Sequence, residues 1–541
     1  MTSRGFRFLP FVLVILCVSC EQKGPLITSI SPRIGNMGDV ITIRGEGFGE
    51  SRNESYVTIA GFAPTASSYL EWQDDRISLR TPEFGESGLV YVFRGNTKSN
   101  AALYSNHASI PERVSGEDVS PGPRILSINP ASGAIGQLVT ILGTNFGTSR
   151  EGSGVYFSWD AEPSPSAPAE TRTPSWVEVF ENDFGYELWS EREIRLRVPD
   201  GAISGGIEVR TLRGKSRPEY FEVSGKPGIK TYRDKRSYRI SYSVDIKVEE
   251  ASPPNTLYLW LPRPVSSASQ RKVELFSRTA EPFVENYRGT ALFKLNDMLP
   301  GSGTGITLSY TVEVYAVETE IRAAQIREDR SSPVRHIHTL ATPLIPSDHP
   351  LVTGQAAAIV GREQNPYVKA QRIYRWLISE VAIQDEPLSG GVPEALGEKK
   401  ADPYMAALLF CALARAAGVP ALPVAGVLVS RFPATQNHYW AEFWIDGFGW
   451  VPLDPALGAG AAPPSFNLRP DRETYYFGSL DNQRITFSRG QTALSQMDPQ
   501  GRTAMRDRNY ALQNLWEEAA AGLESYSSLW SDVTINGVYV Q

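Results

Sequence analysis

Thiols and imidazoles are the side chains in this sequence that are best suited to chemistry, and there are few of them. The 541 residues hold three cysteines, Cys17, Cys20 and Cys411. Two of the three lie at the N-terminus, so the sequence excludes a disulfide framework and a cysteine metal site. Two of the five histidines, His336 and His338, alternate on what we interpret as one face of an extended segment, and no acidic cluster joins them. We therefore expect no metal and no cofactor.

One stretch, residues 401–455, combines a predicted buried helix with two predicted strands. Asp402 is a good N-cap, and Pro403 suits the first helical position. Residues 404–417 are nearly all apolar, which leaves no helix face for water, and Gly418 ends the helix as a C-cap glycine. The sequence HYWAEFWI then predicts an aromatic-rich strand, GFG a turn, and WVPLDP a returning strand.

Three blocks of this stretch resemble the transglutaminase-like branch of the papain-like thiol enzymes. The blocks ALARAAGVPA, HYWAE and GWVPLDP have the order and internal spacing of that family's motif. In the family, a cysteine at the helix start, a histidine and an aspartate act together. The helix N-terminus lowers the thiol pKa, the imidazole takes the thiol proton, and the carboxylate fixes the imidazole tautomer. The resemblance implies that His438 and Asp454, 16 residues apart (454 − 438), hold two of these three positions.

The third position, that of the nucleophile, departs from the family. Counting back from Arg415 and Gly418 places it at Pro403, which has no nucleophilic atom. The nearest thiol, Cys411, lies eight residues further on (411 − 403), about 12 Å along the helix and roughly 80° around it. Apolar surroundings in the middle of a helix raise a thiol pKa, so we interpret Cys411 as a small core residue. Without the sulfur, the imidazole and carboxylate remain a polar pair, but no acyl-enzyme can form.

Residues 1–20 have the features of an export signal. Arg4 and Arg7 give it a positive start, and the apolar run FLPFVLVILCV is shorter than the ~20 residues needed to span a bilayer. The ending LCVSC resembles a bacterial lipoprotein signal with Cys20 as the lipidated residue, although secretion with cleavage nearby is an alternative. We therefore expect an exported lipoprotein that is anchored to a membrane and faces the periplasm or the cell surface. The net charge of −7 argues against a nucleic-acid partner.

An internal repeat with a constant offset of 98 residues fills much of the first half of the chain. PLITSISPRIGNMGDVITIRGEGFG begins at Pro25, and PRILSINPASGAIGQLVTILGTNFG begins at Pro123. Alternating apolar residues punctuated by glycines indicate short antiparallel strands. The pattern resembles the IPT/TIG domain, which implies immunoglobulin-like β-sandwiches at residues 25–116 and 122–225. Such domains serve as spacers or binding modules rather than as catalysts.

Changes of sequence period predict the remaining domains. Strand-like alternation predicts a third β-sandwich at residues 228–330, and helical periodicity opens an α+β transglutaminase-like, papain-like core at 343–465. We expect residues 466–541 to complete the core, with a last amphipathic helix at 511–530. The predicted fold class is thus a multidomain chain of two immunoglobulin-like sandwiches, a third β-sandwich and this core.

Three functions are compatible with these features. The missing nucleophile favours a degenerate core that binds a peptide, protein or cell-wall ligand without turning it over. One alternative is an active amide-directed hydrolase or acyltransferase, of the protease or transglutaminase type, that uses His438 and Asp454. Another is a scaffold or adhesin whose β domains carry the function.

Overall fold

The computed structural model describes residues 24–540, apart from 36–37, 54, 82–87, 96, 107–121, 151, 162–174, 329–331 and 432. The predicted export signal and its Cys20 lie outside the described residues. The chain divides into two compact units, one of residues 1–64 with 71–109 and the other of residues 65–70 with 110–541.

The first repeat is built almost entirely of short strands. They are β1 (Leu26–Ser31), β2 (Ile34–Gly35), β3 (Val40–Glu46), β4 (Tyr56–Ile59), β5 (Tyr69–Trp72), β6 (Arg76–Arg80), β7 (Gly88–Arg94), β8 (Thr97–Lys98) and β9 (Ala102–Asn106). One sheet contains β1, β3 and β6 as successive neighbours, and the other has the order β2-β9-β7-β4 with β8 beside β7. Alternate residues such as Ile41, Ile43, Val90 and Val92 are fully buried, as expected for strands that present one face to a core.

The second repeat forms two sheets in the same way. Its strands are β10 (Arg124–Asn129), β11 (Ser132–Gly133), β12 (Leu138–Thr144), β13 (Gly154–Trp159), β14 (Ser175–Glu178), β15 (Tyr186–Trp189), β16 (Glu193–Arg197), β17 (Gly205–Thr211), β18 (Gly214–Lys215) and β19 (Glu219–Val223). The sheet orders are β10-β12-β16-β15 and β11-β19-β17-β13-β14, with β18 beside β17.

One glycine in each repeat explains part of the residue spacing that the two repeats share. A Cβ atom at Gly45 would overlap the ring of Phe48, and a Cβ atom at Gly143 would overlap the ring of Phe146. The β1–β3 and β10–β12 pairs also have a register shift at the same place in each repeat. The 98-residue periodicity therefore reflects one local packing arrangement that is used twice.

The third sandwich is dominated by two long strands. Its first strands are β20 (Gly228–Ala251), β21 (Thr256–Pro262), β22 (Gln270–Arg278), β23 (Val284–Tyr287), β24 (Thr290–Asn296) and β25 (Gly303–Ile321). β20 and β25 pair along nearly their whole length. Residues at every second position of β20, from Tyr238 to Val248, are buried, which is the alternation predicted from the sequence.

Among the described residues, the core combines seven helices with a four-stranded sheet. The helices are α1 (Pro333–Ile337), α2 (Pro350–Val360), α3 (Pro366–Glu380), α4 (Val392–Glu398), α5 (Pro403–Ala416), α6 (Pro455–Ala459) and α7 (Arg472–Tyr475). The strands are β26 (Ala382–Ile383), β27 (Lys400–Ala401), β28 (Ala421–Arg431), β29 (Ala434–Ile445), β30 (Gly449–Leu453) and β31 (Arg484–Arg489). The sheet has the order β30-β29-β28-β31, and β26 pairs with β27.

The two faces of the core sheet pack against different partners. Ala441 and Phe443 of β29 belong to the apolar cluster that contains α5. Trp440 and Trp444, which point the other way, belong to the cluster that contains the second repeat. The sheet is therefore buried on both sides.

The C-terminal segment differs from its prediction. Residues 511–530 form no helix and instead contribute β33 and β34. The strands of the C-terminal segment are β32 (Arg502–Ala504), β33 (Glu517–Ala519), β34 (Leu523–Trp530) and β35 (Thr534–Val540). β33 pairs with β21, and β34 and β35 both pair with β20. Of the strands described after residue 466, β31 joins the core sheet and β32 to β35 complete the third sandwich instead.

Tertiary contacts explain why the predicted C-terminal helix was wrong. Leucine, glutamate and alanine in LWEEAAAGLES favour a helix when taken alone. In the structure Glu517 is buried and accepts hydrogen bonds from Arg506, Ser528 and Trp530. These bonds and the ladder with β20 exist only in the strand conformation, so they override the local preference.

The predicted extended segment with His336 and His338 was also wrong. His336 lies within α1, and His338 follows it as the C-cap residue. Pro333 stands at the first helical position, where its fixed φ favours helix initiation. The two side chains therefore do not share a strand face.

Candidate functional site

The predicted central helix begins where the sequence places it. The Asp402 side chain accepts a hydrogen bond from the backbone N–H of Met405 at 2.7 Å, which is an N-cap bond. Pro403 is the first residue of α5. All of the described α5 residues from Met405 to Arg415 are buried, and Gly418 follows the helix with a left-handed φ of 78°. The absence of a solvent face, which the apolar run predicted, is confirmed.

His438 and Asp454 lie together, as the resemblance to the transglutaminase-like family implied. His438 lies in β29, and Asp454 follows β30 directly. His438 Nε2 is 2.8 Å from Asp454 Oδ2. Asp454 is also the N-cap of α6, because its Oδ1 accepts the N–H of Leu457 at 3.0 Å. One carboxylate thus orients an imidazole and starts a helix.

Arg484 joins His438 and Asp454 as the third member of a polar cluster, and the sequence did not predict it. Arg484 Nη1 donates to Asp454 Oδ2 at 3.1 Å, the same oxygen that His438 contacts. Its Nη2 donates to Asp481 at 2.8 Å, and its guanidinium lies 4.9 Å from the ring centroid of Trp440. Arg484 is on β31, 30 residues beyond Asp454. No local pattern links two positions so far apart.

The buried charges in this cluster stabilise one another. Burial alone would raise the pKa of Asp454, but His438, Arg484 and the Leu457 N–H outweigh it and hold that pKa below its usual value. Burial would lower the pKa of Arg484, but Asp481 and Asp454 outweigh it and raise that pKa. Asp454 therefore stays ionised and Arg484 stays protonated throughout the physiological range.

The pair is closed off from solvent. The exposed fraction is 2% for His438 and 0% for Asp454. The imidazole is stacked against Trp440, with 6.3 Å between the ring centroids. With Nε2 directed at Asp454, Nδ1 is the ring nitrogen left to exchange a proton. A ligand therefore has no direct path to the pair in this conformation.

Cys411 is a core residue, as predicted. Its exposed fraction is 0%, and it packs within the apolar cluster of the core helices. Burial raises the pKa of its thiol to about 12. A thiol with that pKa is almost entirely protonated at neutral pH, so it is neither a nucleophile nor a metal ligand there.

The start of α5 is covered by a loop from the C-terminal region, which the sequence did not predict. Arg508 forms an ion pair with Asp402 and donates a hydrogen bond to the carbonyl oxygen of Leu388. The Tyr439 hydroxyl donates to the carbonyl oxygen of Asn509 at 2.8 Å. Residues 508–509 therefore occupy the space beside the helix start.

The described residues contain neither a cluster of metal ligands nor a membrane-spanning helix. Among them, no three His, Cys, Asp or Glu side chains come together in a way that would hold a metal ion. Within the same part of the chain, none of the helices has the length and apolar character needed to cross a membrane.

Comparison with protein families agrees with this geometry. Residues 353–455 match the transglutaminase-like superfamily. This region is a transglutaminase-like core. Residues 25–108 and 123–161 match the IPT/TIG domain. The predicted combination of immunoglobulin-like sandwiches with a transglutaminase-like core is therefore confirmed.

Similarity to individual proteins is partial. Over 179 residues the chain is 29% identical to an uncharacterized protein of Haemophilus influenzae, covering 27% of this chain and 48% of that protein. Over 115 residues it is 31% identical to a cyclomaltodextrin glucanotransferase of Bacillus sp. strain 1-1, covering 20% of this chain and 16% of that enzyme. A proposed cysteine protease from Cytophaga hutchinsonii aligns over 58% of this chain and 92% of its own, with 16% identity and a TM-score of 0.34. The chain thus spans less than half the length of these two sequence relatives, and their activities are no evidence for its own.

Proposed function

We propose that this chain is an exported cell-envelope protein, lipid-anchored through Cys20, whose transglutaminase-like core binds a peptide or cell-wall peptide without turning it over. The observation that carries the proposal is Pro403 at the first position of α5, where the family has its nucleophile. A pyrrolidine ring offers no atom that can attack an amide. Catalysis by a triad falls by several orders of magnitude when its nucleophile is removed.

The environment of the remaining pair supports a structural role for it. In a working triad, the carboxylate stabilises the imidazolium that forms during proton transfer. Here Asp454 Oδ2 also accepts a hydrogen bond from Arg484, a permanent cation. The same carboxylate oxygen therefore serves a buried ion pair as well as the imidazole. Because both side chains are buried and Asp454 also caps α6, these contacts support a structural role for the pair.

The loop at the start of α5 supports the binding part of the proposal. Residues 508–509 contact the helix cap and β29 through one side-chain ion pair and two backbone carbonyl oxygens, those of Arg508 and Asn509. Contacts of this kind, to main-chain oxygens and one anchoring side chain, are those by which grooves hold peptides.

An activity assay tests the absence of turnover. The purified protein without its export signal is assayed for hydrolysis of peptide amides and for incorporation of a primary amine. We expect rates equal to buffer for the wild type and for His438→Ala. Turnover by the wild type that disappears in His438→Ala would refute the proposal and favour an active hydrolase or acyltransferase.

A restored nucleophile tests the assignment of position 403. In Pro403→Cys, a thiol at the helix start should have a pKa below the ordinary value of about 8.5, because the helix N-terminus favours the thiolate. Its rate of alkylation by iodoacetamide as a function of pH gives this pKa. A matched thiol at Pro366→Cys, the first position of α3, controls for helix effects alone. A pKa in Pro403→Cys that is unchanged by His438→Ala would contradict the alignment of this position with the family's nucleophile.

A further inference from the structure

A pocket that holds one guanidinium group lies at the start of α5. Its walls are the carboxylate of Asp402, the carbonyl oxygen of Leu388 and the ring of Tyr404. Arg508 donates from Nη1 to Asp402 Oδ2 and from Nη2 to the Leu388 oxygen. The guanidinium carbon lies 4.7 Å from the Tyr404 ring centroid. We call these three walls the guanidinium pocket.

The chemistry of these walls selects arginine over lysine. A guanidinium is planar and directs several N–H groups in fixed directions, so it can serve a carboxylate and a carbonyl oxygen at once. Its flat face also stacks on an aromatic ring and is weakly hydrated, which lowers the cost of removing it from water. An ammonium group is compact and strongly hydrated and offers no such fork.

The guanidinium pocket is held in place by bonds that do not involve Arg508. Asp402 Oδ1 accepts the N–H of Met405 at 2.7 Å, and Oδ2 accepts the N–H of Leu388 at 2.9 Å. Tyr404 packs edge-to-face on Tyr439, with 5.0 Å between ring centroids. The carboxylate therefore keeps its orientation when Arg508 leaves. With Arg508 in place the Asp402 side chain is only 3% exposed, so departure of Arg508 uncovers a carboxylate oxygen that can accept another cation.

Arg508 is placed so that its side chain can leave while the loop stays. Its φ of 59° is left-handed, which is unusual for arginine, and its side chain is 23% exposed. The loop is anchored on both sides of it. Arg506 bonds buried Glu517 at 2.9 Å, and Tyr510 is fully buried among aromatic rings. Rotation of the Arg508 side chain into solvent breaks none of these anchors.

We propose that the guanidinium pocket is the subsite for an arginine side chain of the peptide ligand, and that Arg508 fills it when the ligand is absent. The inference rests on the proposed function of peptide binding, not on the presence or absence of turnover. Because Arg508 is tethered beside the pocket, its effective concentration there is high. The apparent affinity for a ligand is therefore reduced by the small fraction of molecules in which the pocket is open.

Titration calorimetry with N-acetyl-L-argininamide as the probe tests this subsite. We expect Arg508→Ala to bind the probe at least tenfold more tightly than the wild type, because the internal competitor is gone. We expect N-acetyl-L-lysinamide to bind Arg508→Ala at least tenfold more weakly than the arginine probe does. Equal affinity of the wild type and Arg508→Ala, or equal affinity for the two probes, would overturn the proposal.

Asp402→Asn in the Arg508→Ala background is the matched control. Asparagine caps a helix about as well as aspartate, so the start of α5 is preserved while the negative charge is lost. We expect binding of the arginine probe to disappear. Binding that survives this change would show that the probe is held elsewhere and would overturn the assignment.

A thermal measurement covers the case in which Arg508→Ala does not fold. In Arg508→Gln, millimolar N-acetyl-L-argininamide should then raise the melting temperature by more than it does in the wild type, and equal shifts would refute the subsite. The amide-hydrolysis assay remains separate. Turnover would refute the proposed function whatever the probe does, and failure of the probe to bind would refute the subsite without restoring a nucleophile.

Discussion

Replacing Asp454 by alanine removes the group on which the buried polar cluster depends. Asp454 accepts hydrogen bonds from His438 at 2.8 Å, Arg484 at 3.1 Å and the N–H of Leu457 at 3.0 Å. After Asp454→Ala, Arg484 keeps one carboxylate partner, Asp481, although its own side chain is only 4% exposed. Breaking a buried ion pair costs about 3–5 kcal/mol, and losing a helix N-cap costs about 1 kcal/mol. Since these effects share one site and do not simply add, we expect the free energy of unfolding to fall by about 4 kcal/mol.

Urea unfolding at pH 7, followed by tryptophan fluorescence, measures this loss. Asp471→Ala is the control, because Asp471 forms an ion pair with Arg469 in which both side chains are about half exposed. We expect the control to lose less than about 0.5 kcal/mol. Asp454→Asn keeps the shape and the bond to His438, so it should lose about 2 kcal/mol. A loss below about 1 kcal/mol in Asp454→Ala would refute the view that this carboxylate stabilises the core.

The same variant predicts a pH dependence. The pKa of Asp454 is lowered in the folded protein, because His438, Arg484 and the Leu457 N–H together outweigh the effect of burial. Its stabilisation is therefore fully present above the unfolded value of about 3.9 and is lost as the pH falls through the folded pKa. The difference in unfolding free energy between the wild type and Asp454→Ala should shrink below about pH 4. A difference that stays constant down to pH 2 would contradict this reasoning.

Three further predictions concern other buried groups. Cys411 has a thiol pKa of about 12 and an exposed fraction of 0%, so in the native protein it should resist alkylation by iodoacetamide at pH 8. In urea it should react at the ordinary rate of a thiol. Fast labelling of the native protein would contradict its burial. A Cβ atom at position 458 would overlap the Tyr374 hydroxyl, so Gly458→Ala should cost about 2 kcal/mol in urea unfolding, and adding Tyr374→Phe should recover part of that loss. Burial, with Arg415 and Arg489 nearby, lowers the pKa of His338 to about 3. Between these two pKa values the unfolded chain binds a proton that the folded chain does not. Lowering the pH from 6.5 to 5 should therefore lower the free energy of unfolding by up to about 2 kcal/mol in urea titrations. In His338→Leu this pH dependence should be absent.

Local signals explain which parts of this fold could be predicted. Asp402, Pro403 and Gly418 mark the ends of α5 through side-chain capping, a fixed φ and a left-handed turn, all of which act within a few residues. The pairing of His438 with Asp454 was implied by the resemblance of HYWAE and GWVPLDP to the family's motif, and the tight turn between β29 and β30 brings the two positions together. Constraints of this kind act between neighbouring residues, so they can be predicted from a short stretch of sequence.

Long-range partners could not be predicted for an equally physical reason. Arg484 and Arg508 reach Asp454 and Asp402 from positions 30 and 106 residues further along the chain. A surface arginine and a buried arginine look alike in a sequence, since only the fold decides which carboxylate each one meets. The strand around Leu523 was missed for the same reason, because its partner β20 is remote.

The pairing of β20 with β35 sets an order for folding. Arg236 of β20 lies opposite Val540 of β35, 304 residues later (540 − 236). Until β34 and β35 are available, this edge of β20 has no partner, and an unpaired strand edge invites association with other chains. The two immunoglobulin-like repeats close through nearby strands and can fold as soon as they emerge. Chaperone dependence should therefore be concentrated in the interval between the emergence of β20 into the compartment where the chain folds and that of β35.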